Sequence, residues 1–266
     1  MSENDINKVA ELAIETGQLV LESGGETHKV EEMMHNVCSG FGYEENESYV
    51  TLTGIFLSLK SENGEIVTLI KRIGSRTVDL DKISAAEKLS DDLQKRNCKG
   101  KSKVFCQPMS FDEYSRRLES IRTKKQYPDW VKFICGGITP GFFSLLFGGG
   151  WLEFGVAFVM GIIVTIILRL LDKLQLNTFL LNAIAAGLIV WCAKMAGLYI
   201  GPMNTDKIII GGIMLLVPGL SITNAIRDTM AGDLVAGTAR TVEAIFIAAA
   251  IATGAGTMLK LWALLV

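Results

Sequence analysis

Five ionisable side chains lie within 17 residues of an otherwise apolar segment of the 266-residue chain: Arg227, Asp228, Asp233, Arg240 and Glu243. A charge at the centre of a bilayer costs roughly 2.5–3.5 kcal/mol on insertion scales. Inside a membrane these groups must therefore pair, line water or lie at the interface. One interpretation is an interfacial loop with ordinary salt bridges. The other is a polar pathway in which Glu243 or Asp233 carries protons and Arg227 or Arg240 attracts a carboxylate.

A Pro-Gly pair precedes these charges. Pro218 lacks a backbone N–H and clashes with the preceding helical turn, and Gly219 removes side-chain constraint. We predict that the pair interrupts a helix about 11 residues, or ~16 Å, into a membrane span. Thr223 and Asn224 follow the interruption. A proline kink without a ligand is one interpretation, and a substrate site is the other, because broken helices at this depth form the sites of many transporters.

The two histidines suggest a metal site only weakly. His28 and His35 share a predicted helix with Glu31 and Glu32, and a Glu-x-x-His pair can ligate metal when other helices add ligands. No second pair of this kind occurs, so we interpret these residues as a solvated polar face and predict no metal and no cofactor. The sequence also lacks the serine-hydrolase, zinc-protease and phosphate-loop motifs, so we predict no enzyme.

Charge is distributed unevenly along the chain that must position these residues. Residues 1–130 hold 18 Lys/Arg and 22 Asp/Glu, and the remaining 136 residues hold 8 and 6. This excludes a single soluble domain, a secreted disulfide scaffold and a disordered chain. Neither half is strongly basic, so no nucleic-acid partner is expected. The five cysteines are scattered without a CxxC, which indicates free thiols in a reducing compartment.

We therefore predict an α+β cytoplasmic N-terminal domain over residues 1–125, followed by an all-α membrane domain of five transmembrane helices over 126–266. Apolar residues at helical spacing indicate helices in the N-terminal part, and β-branched runs around the Asn63-Gly64 turn signal indicate strands. The predicted helices cover 6–21, 26–38, 83–96 and 111–125, and the predicted strands lie in 49–59 and 65–73.

Five apolar segments are long enough to cross the membrane, since about 20 helical residues span a ~30 Å hydrocarbon core. The predicted spans lie near 131–149, 152–171, 177–199, 207–227 and 236–264. Lys and Arg are concentrated on one side of these spans. By the positive-inside rule, this bias puts the N-terminal domain in the cytoplasm and the C-terminus outside, in the inner cell membrane.

Three stretches resemble a known family. They are GGETHKVE at 24–31; TGIFLSL at 53–59 with RTVDLDKI at 76–83; and the segment 215–243, which is similar to L-x-P-G-x-x-x-T-N-A-I-R-D…G-D…G-x-x-R…E-A. The chain resembles the threonine/serine exporter (ThrE-type) family, and within it the YjjP-like larger component of two-subunit exporters. Lys29 stands where that family usually has Arg, and Lys cannot form the planar bidentate fork of Arg.

The resemblance implies an efflux carrier for small metabolites, driven by the proton gradient. Threonine and serine are the family's named substrates, and related two-component members are associated with dicarboxylates such as succinate. A separate small membrane subunit would supply the second transmembrane half, and self-association is left open. The implied substrate and ion pathway comprises Pro218, Gly219, Thr223, Asn224, Arg227, Asp228, Asp233, Arg240 and Glu243. The implied cytoplasmic motif at the intracellular mouth comprises Glu26, Thr27, Lys29, Glu31, Thr53, Arg76 and Asp79.

Two other functions remain open on the sequence. The soluble part could do the work as a membrane-anchored binding or regulatory protein. It could also be a membrane-bound hydrolase using Thr27, Thr53 or Glu31, although no nucleophile is paired with a base in the sequence. A water-accessible crevice that reaches Pro218 would favour transport, and a deep pocket in the soluble part would favour the other two.

Overall fold

The computed structural model describes residues 3–61, 63–96, 108–124, 127–174 and 176–265. The chain forms two compact units. The first combines residues 1–125 with 223–240, and the second combines 126–222 with 241–266. The first unit therefore includes a segment that the sequence analysis assigned to the membrane domain.

The first unit packs helices against one small sheet. Its core contains the apolar stripe of α1, the buried face of α2 and the inward side chains of the central strand, Ile55, Leu57 and Leu59. Tyr114 is buried on α4, and its hydroxyl lies 3.0 Å from the Thr16 hydroxyl. The elements are α1 (Glu3–Glu22), α2 (Thr27–Gly40), β1 (Asn46–Thr51), β2 (Gly54–Lys60), β3 (Ile66–Arg72), α3 (Leu80–Lys95) and α4 (Phe111–Arg122).

The sheet is antiparallel in the order β1-β2-β3. The predicted turn at Asn63-Gly64 is confirmed, and Gly64 takes a φ of +81° that favours glycine. The single strand segment predicted over 49–59 is wrong, because Thr51 pairs with Gly54 across a tight turn at Leu52 and Thr53. An apolar and a β-branched residue occupy that turn, so composition did not reveal it.

The thiols of the described cysteines Cys38, Cys135 and Cys192 are free. Burial raises the pKa of the Cys38 thiol to about 12, so this group stays protonated and packs as a small apolar side chain. Cys98 and Cys106, which the sequence analysis also interpreted as free thiols, lie outside the described residues.

The second unit is helical and packs through small residues. Among its helices, α6 approaches α5 so closely that a Cβ on Gly161 would lie 2.3 Å from the carbonyl oxygen of Gly136. A Cβ on Gly254 would likewise lie 2.0 Å from the carbonyl oxygen of Ala183. The helices are α5 (Asp129–Leu146), α6 (Trp151–Asp172), α7 (Thr178–Tyr199), α8 (Thr205–Ile213), α9 (Gly219–Met230) and α10 (Leu234–Leu265), and the last two belong partly to each unit.

The predicted fold class is wrong. The described residues form ten helices and only one small three-stranded sheet, and three helices, not five, are long and apolar enough to cross a membrane. These candidate spans are Trp151–Leu171, Thr178–Tyr199 and Leu234–Leu265. Helix α5 has only 18 residues and carries Asp129 and Lys132 in its first turn. The segment expected to span near 207–227 is divided between α8 and α9, of 9 and 12 residues, each too short to cross.

The contact between α5 and α6 gives a test with an internal control. Gly161→Ala places a methyl group against backbone, so we expect it to destabilise the second unit by about 1–3 kcal/mol. Gly155→Ala on the same helix meets nothing within 4 Å and should be neutral or stabilising by about 0.5–1 kcal/mol. Thermal unfolding of the detergent-solubilised chain measures both, and equal melting temperatures for the two variants would contradict this packing.

Candidate functional site

A tight loop joins α1 to α2 and carries the first family-like motif. Gly24 has a φ of +89°, and the N–H of Gly25 donates to the carbonyl oxygen of Val20 at 2.9 Å. A Cβ on Gly25 would lie 2.6 Å from the Val20 side chain. Both glycines are therefore required for this turn, which places Glu26 and Thr27 at the start of α2.

The second part of the site comes from α9 and the start of α10, which lie in the same unit as the loop. Gly232 takes a φ of +95° between the two helices, and Asp233 caps α10 by accepting the Ala236 N–H at 3.0 Å. A Cβ on Gly237 would lie 2.1 Å from the Thr229 hydroxyl. The glycine of the G-x-x-R motif thus lets the two helices meet closely and brings Arg240 beside α9.

Asp228 and Arg240 form a buried ion pair. The Nε of Arg240 donates to Oδ2 of Asp228 at 2.8 Å, and the two side chains are only 5% and 0% exposed. The other carboxylate oxygen, Oδ1, accepts the backbone N–H of Thr27 at 3.2 Å and the Thr27 hydroxyl at 3.0 Å. Both carboxylate oxygens are therefore hydrogen-bonded, which offsets part of the cost of removing the charges from water.

The same helices hold the loop by its carbonyl groups. Nη2 of Arg240 donates to the carbonyl oxygen of Gly25 at 2.6 Å, and the side-chain amide of Asn224 donates to that of Gly24 at 3.0 Å. We call residues 24–27 together with Asn224, Asp228 and Arg240 the clamp site. Because every contact is hydrogen-bonded and four of the five hydrogen bonds are charge-assisted, the clamp site fixes the loop on α9 and α10.

An exposed ion pair lies at the rim of the clamp site. Arg227 donates to the carboxylate of Glu26, and the Arg227 side chain is 62% exposed. Exposed pairs of this kind contribute about 0–1 kcal/mol. Arg227 and Asp228 are adjacent in sequence, but only the second is buried, because α9 turns them to different faces.

The remaining residues of the predicted cytoplasmic motif support the loop or lie apart from it. The backbone N–H groups of Thr77 and Asp79 donate to the carbonyl oxygens of Glu22 and Ser23 at 2.7 and 3.0 Å, so the segment beginning at Arg76 follows the end of α1. The Asp79 side chain caps α3. Elsewhere in the unit, Lys29 pairs with Glu87, and Thr53 is an exposed turn residue.

Glu31 is a half-buried carboxylate of the motif whose environment changes its pKa. Its carboxylate accepts the Val50 N–H at 3.0 Å. Burial raises the pKa of Glu31 above its ordinary value, and the negative charges of Asp233 and Asp228 add to that rise, while the Val50 hydrogen bond and His28 oppose it. Among the described residues, no group of three His, Cys, Asp or Glu side chains is arranged to hold a metal ion.

Three residues of the predicted pathway lie in the second unit: Pro218, Gly219 and Glu243. The helix is interrupted as predicted, since α8 ends at Ile213 and α9 begins at Gly219. Glu243 is exposed on α10. Thr223, in the first unit, is exposed near the start of α9. The structure thus gathers Asn224, Asp228 and Arg240 at one place.

Cavities of the second unit are apolar. One of about 510 Å³ lies between α6 and α7 beside Trp151 and Trp191. Another, of about 390 Å³, lies between α7 and α10 beside Gly187 and Gly254. Pro218 lines neither, so a crevice reaching the interrupted helix stays a prediction.

Sequence reasoning singled out Asn224, Asp228 and Arg240 but missed their partners. It assigned Thr27 to a separate cytoplasmic motif, and it gave no function to the carbonyl groups of Gly24 and Gly25. Every residue has a backbone carbonyl group, so residue type does not show which of these groups accepts a hydrogen bond. The only available signal was the spacing of the glycines at 24, 25 and 237.

Three helices of the described residues are apolar and long enough to cross a membrane, which is typical of an integral membrane protein. A family model for the threonine/serine exporters matches residues 11–262, so the chain belongs to the ThrE family. This confirms the resemblance drawn from the three motifs. No solved structure matches the chain significantly.

Curated relatives that are similar to nearly the whole chain differ in their own length. The "Threonine/serine exporter" of Corynebacterium glutamicum is 25% identical over 95% of this chain and 51% of its own length. The "Probable threonine/serine exporter" of Mycobacterium tuberculosis is 25% identical over 93% and 45%. The chain thus spans about half the length of these relatives. The "Probable succinate transporter subunit YjjP" of Escherichia coli is 24% identical over 96% of this chain and 95% of its own.

The buried ion pair predicts strong coupling between its two members. Asp228→Asn or Arg240→Gln alone leaves a buried charge without its partner, which typically costs about 3–5 kcal/mol. The double variant removes both charges, so its loss of stability should fall short of the sum of the single losses by at least ~1 kcal/mol. Denaturant unfolding measures the cycle.

Asp129→Asn is the matched control for this cycle. It also leaves an arginine, Arg169, without its carboxylate, but that pair is exposed and should contribute only about 0–1 kcal/mol. Additive losses of stability in Asp228→Asn and Arg240→Gln would contradict a buried, coupled pair. So would a loss of stability in Asp129→Asn as large as that in Asp228→Asn.

Glu31 predicts a pH dependence of stability. Because its pKa is raised in the folded state, the folded chain binds more protons than the unfolded chain, so this group's contribution falls as pH rises from about 4.5 through the folded pKa. Glu31→Gln can keep the Val50 hydrogen bond and should flatten that decrease in melting temperature. Glu32→Gln, at an exposed position on the same helix, should leave it unchanged. An identical pH profile for wild type and Glu31→Gln would refute this assignment.

Proposed function

We propose that the chain is a component of a secondary exporter that moves small amino acids, threonine and serine, out of the cell by proton antiport. The observation that carries the proposal is the clamp site, in which two separate family motifs meet in one buried network of charges. A transporter must hold one closed arrangement and then leave it. A charge-paired contact between a loop and two helices can do this, because it has discrete bound and released states.

The pathway in this proposal begins at the interrupted helix. Residues 214–218, between α8 and α9, are not helical, and the N–H groups of 214–217 donate to carbonyl oxygens of residues 210–213 in turns. In this proposal a polar substrate therefore binds at the interruption through neighbouring side chains. Thr223 and Arg227 are exposed on α9 and supply a hydroxyl and a guanidinium group for a zwitterion. Glu243 lies exposed on a candidate membrane span, where an ionisable group is a functional hypothesis by default. We assign it the proton. Asp233 is a weaker choice because it caps α10.

Partner and location complete the proposal. The Escherichia coli relative is named a transporter subunit and is matched over nearly its whole length. We therefore propose that a small membrane subunit supplies the second transmembrane half, with the complex in the inner cell membrane. We also propose that the N-terminal residues lie in the cytoplasm and the C-terminus outside, which the odd number of candidate spans among the described residues supports.

A dicarboxylate is the second candidate cargo. The relative named for succinate transport matches over 95% of its own length, whereas the relatives named for threonine and serine match over about half. Succinate and the amino acids share a carboxylate, so the same guanidinium groups would suit either. The amino group of serine or threonine is the chemical difference that a cargo assay must test.

Efflux measurements test function and residues together. Cells expressing the chain with its partner subunit are loaded with labelled serine, threonine or succinate, and loss of label is followed under an imposed proton gradient. We expect Glu243→Gln and Arg227→Ala to slow export at least tenfold, because one loses the proton carrier and the other a charge that attracts the substrate's carboxylate. Glu47→Gln, an exposed change on β1, should export like wild type.

The outcomes of this assay are separable. Wild-type export of one cargo class identifies the substrate. Wild-type rates in both variants would overturn the residue assignment, and no export of any of the three metabolites would overturn the proposed function.

A further inference from the structure

The buried carboxylate of the clamp site is held by donors that would suit any carboxylate. One oxygen of Asp228 accepts two hydrogen bonds from Thr27, and the other accepts one from the guanidinium of Arg240. All three donors belong to the loop, α2 or α10, and none belongs to α9, which carries Asp228. We propose that this donor set is the exporter's carboxylate-binding site and that Asp228 occupies it as an internal substitute for the substrate's carboxylate.

The donors stay in place without Asp228. Nη2 of Arg240 is held by the carbonyl oxygen of Gly25, and the backbone N–H of Thr27 is positioned by the first turn of α2. Arg240 is itself only 4% exposed, so its charge cannot be satisfied by bulk water. A vacated site is therefore a preformed pocket for an anion with two oxygens, and not a collapsed surface.

Helix α9 can withdraw as a short rigid piece. It has 12 residues and lies between the non-helical residues 214–218 and the turn at Gly232. Its outward side carries Ile222, Ile226 and Met230, which are exposed rather than locked in a core. The contacts that hold it to the loop are those of Asn224 and Asp228, with the exposed Arg227–Glu26 pair at the rim. Its release also separates Thr229 and Ala225 from Gly237 of α10, a close contact that involves no charged group.

The buried charge of Arg240 requires that a substrate carboxylate replace Asp228 when Asp228 leaves. If Asp228 leaves, Arg240 is buried without a counter-ion, which is strongly unfavourable. A substrate carboxylate that enters restores the pair, so α9 is released when cargo is bound and returns when cargo departs. Glu31 and Asp233 add negative potential nearby, but they act alike on the Asp228 carboxylate and on its replacement. They therefore do not decide which of the two is bound.

Charge rescue tests this exchange on the full chain in detergent or nanodiscs. Asp228→Asn empties the site of charge, and acetate, which is only a carboxylate and a methyl group, should restore it. We expect acetate to raise the melting temperature of Asp228→Asn with a half-effective concentration at least tenfold lower than for wild type. Acetamide, and sodium chloride at equal ionic strength, should not. Asp228→Asn combined with Arg240→Gln should lose the response.

Two controls keep the outcome clear. Asp129→Asn, which frees the exposed Arg169, should show no acetate response beyond that of wild type. If Asp228→Asn does not fold alone, refolding in acetate against acetamide gives the same comparison. Equal effects of acetate, acetamide and chloride, or a response that survives without Arg240, would overturn the proposal.

Hydrogen exchange on the unmodified chain provides the second measurement. Serine, threonine or succinate should speed amide exchange in residues 224–232 while residues 24–30 stay protected, because α9 leaves and the donors remain occupied. Serinamide and succinamide, which lack carboxylates, should change neither segment. Unchanged exchange with all three carboxylates, at the highest concentration the salt control tolerates, would refute the exchange.

This inference rests on the proposed function, since the natural carboxylate is taken to be the exported metabolite. Its failure is distinguishable, because rescue and hydrogen exchange need no transport. Export without replacement of Asp228 by the substrate carboxylate would refute this inference and leave the proposed function standing. Replacement of Asp228 by a carboxylate without any export would refute the proposed function and leave the carboxylate site standing.

Discussion

The buried pair of Asp228 and Arg240 determines how the first unit is assembled. Each ion loses several kcal/mol of hydration on burial, and only good geometry recovers it. That geometry needs the Thr27 hydroxyl and N–H on one side and the Gly25 carbonyl on the other. Segments about 200 residues apart in the chain are therefore held together by this geometry. The glycines of the loop and the close approach of Gly237 to α9 follow from the same requirement.

Much of the local structure could be predicted from the sequence. The helices α1 and α4 follow from apolar spacing, and the turn before β3 follows from Asn63-Gly64. The interruption before α9 follows from Pro218-Gly219, because this pair disfavours a continuous helix. These features are determined by neighbouring residues, so a single sequence contains the information.

The number of spans and the partners of the site could not be predicted. Hydropathy made the segment 207–227 resemble one span, although two short helices form there. Charge density suggested a boundary near residue 125, but Arg240 and Asp228 pack in the unit formed by the N-terminal residues. The sequence around a charged residue between apolar runs has the same pattern whether the side chain faces lipid, water or a distant loop. Only the fold shows that Asp228 and Arg240 pair with each other. Their remaining partners are Thr27 and the Gly25 carbonyl group.

The length of α10 has a consequence for the lipid environment. Its 32 residues extend ~48 Å at 1.5 Å each, whereas the hydrocarbon core is ~30 Å thick. Bilayer thickness therefore determines how many turns of the helix remain wet. A thin membrane leaves Glu243 hydrated, and a thick one draws it toward the acyl chains, where a charge is costly. Membrane composition thus determines how much of α10 is in contact with water, with no change in the protein itself.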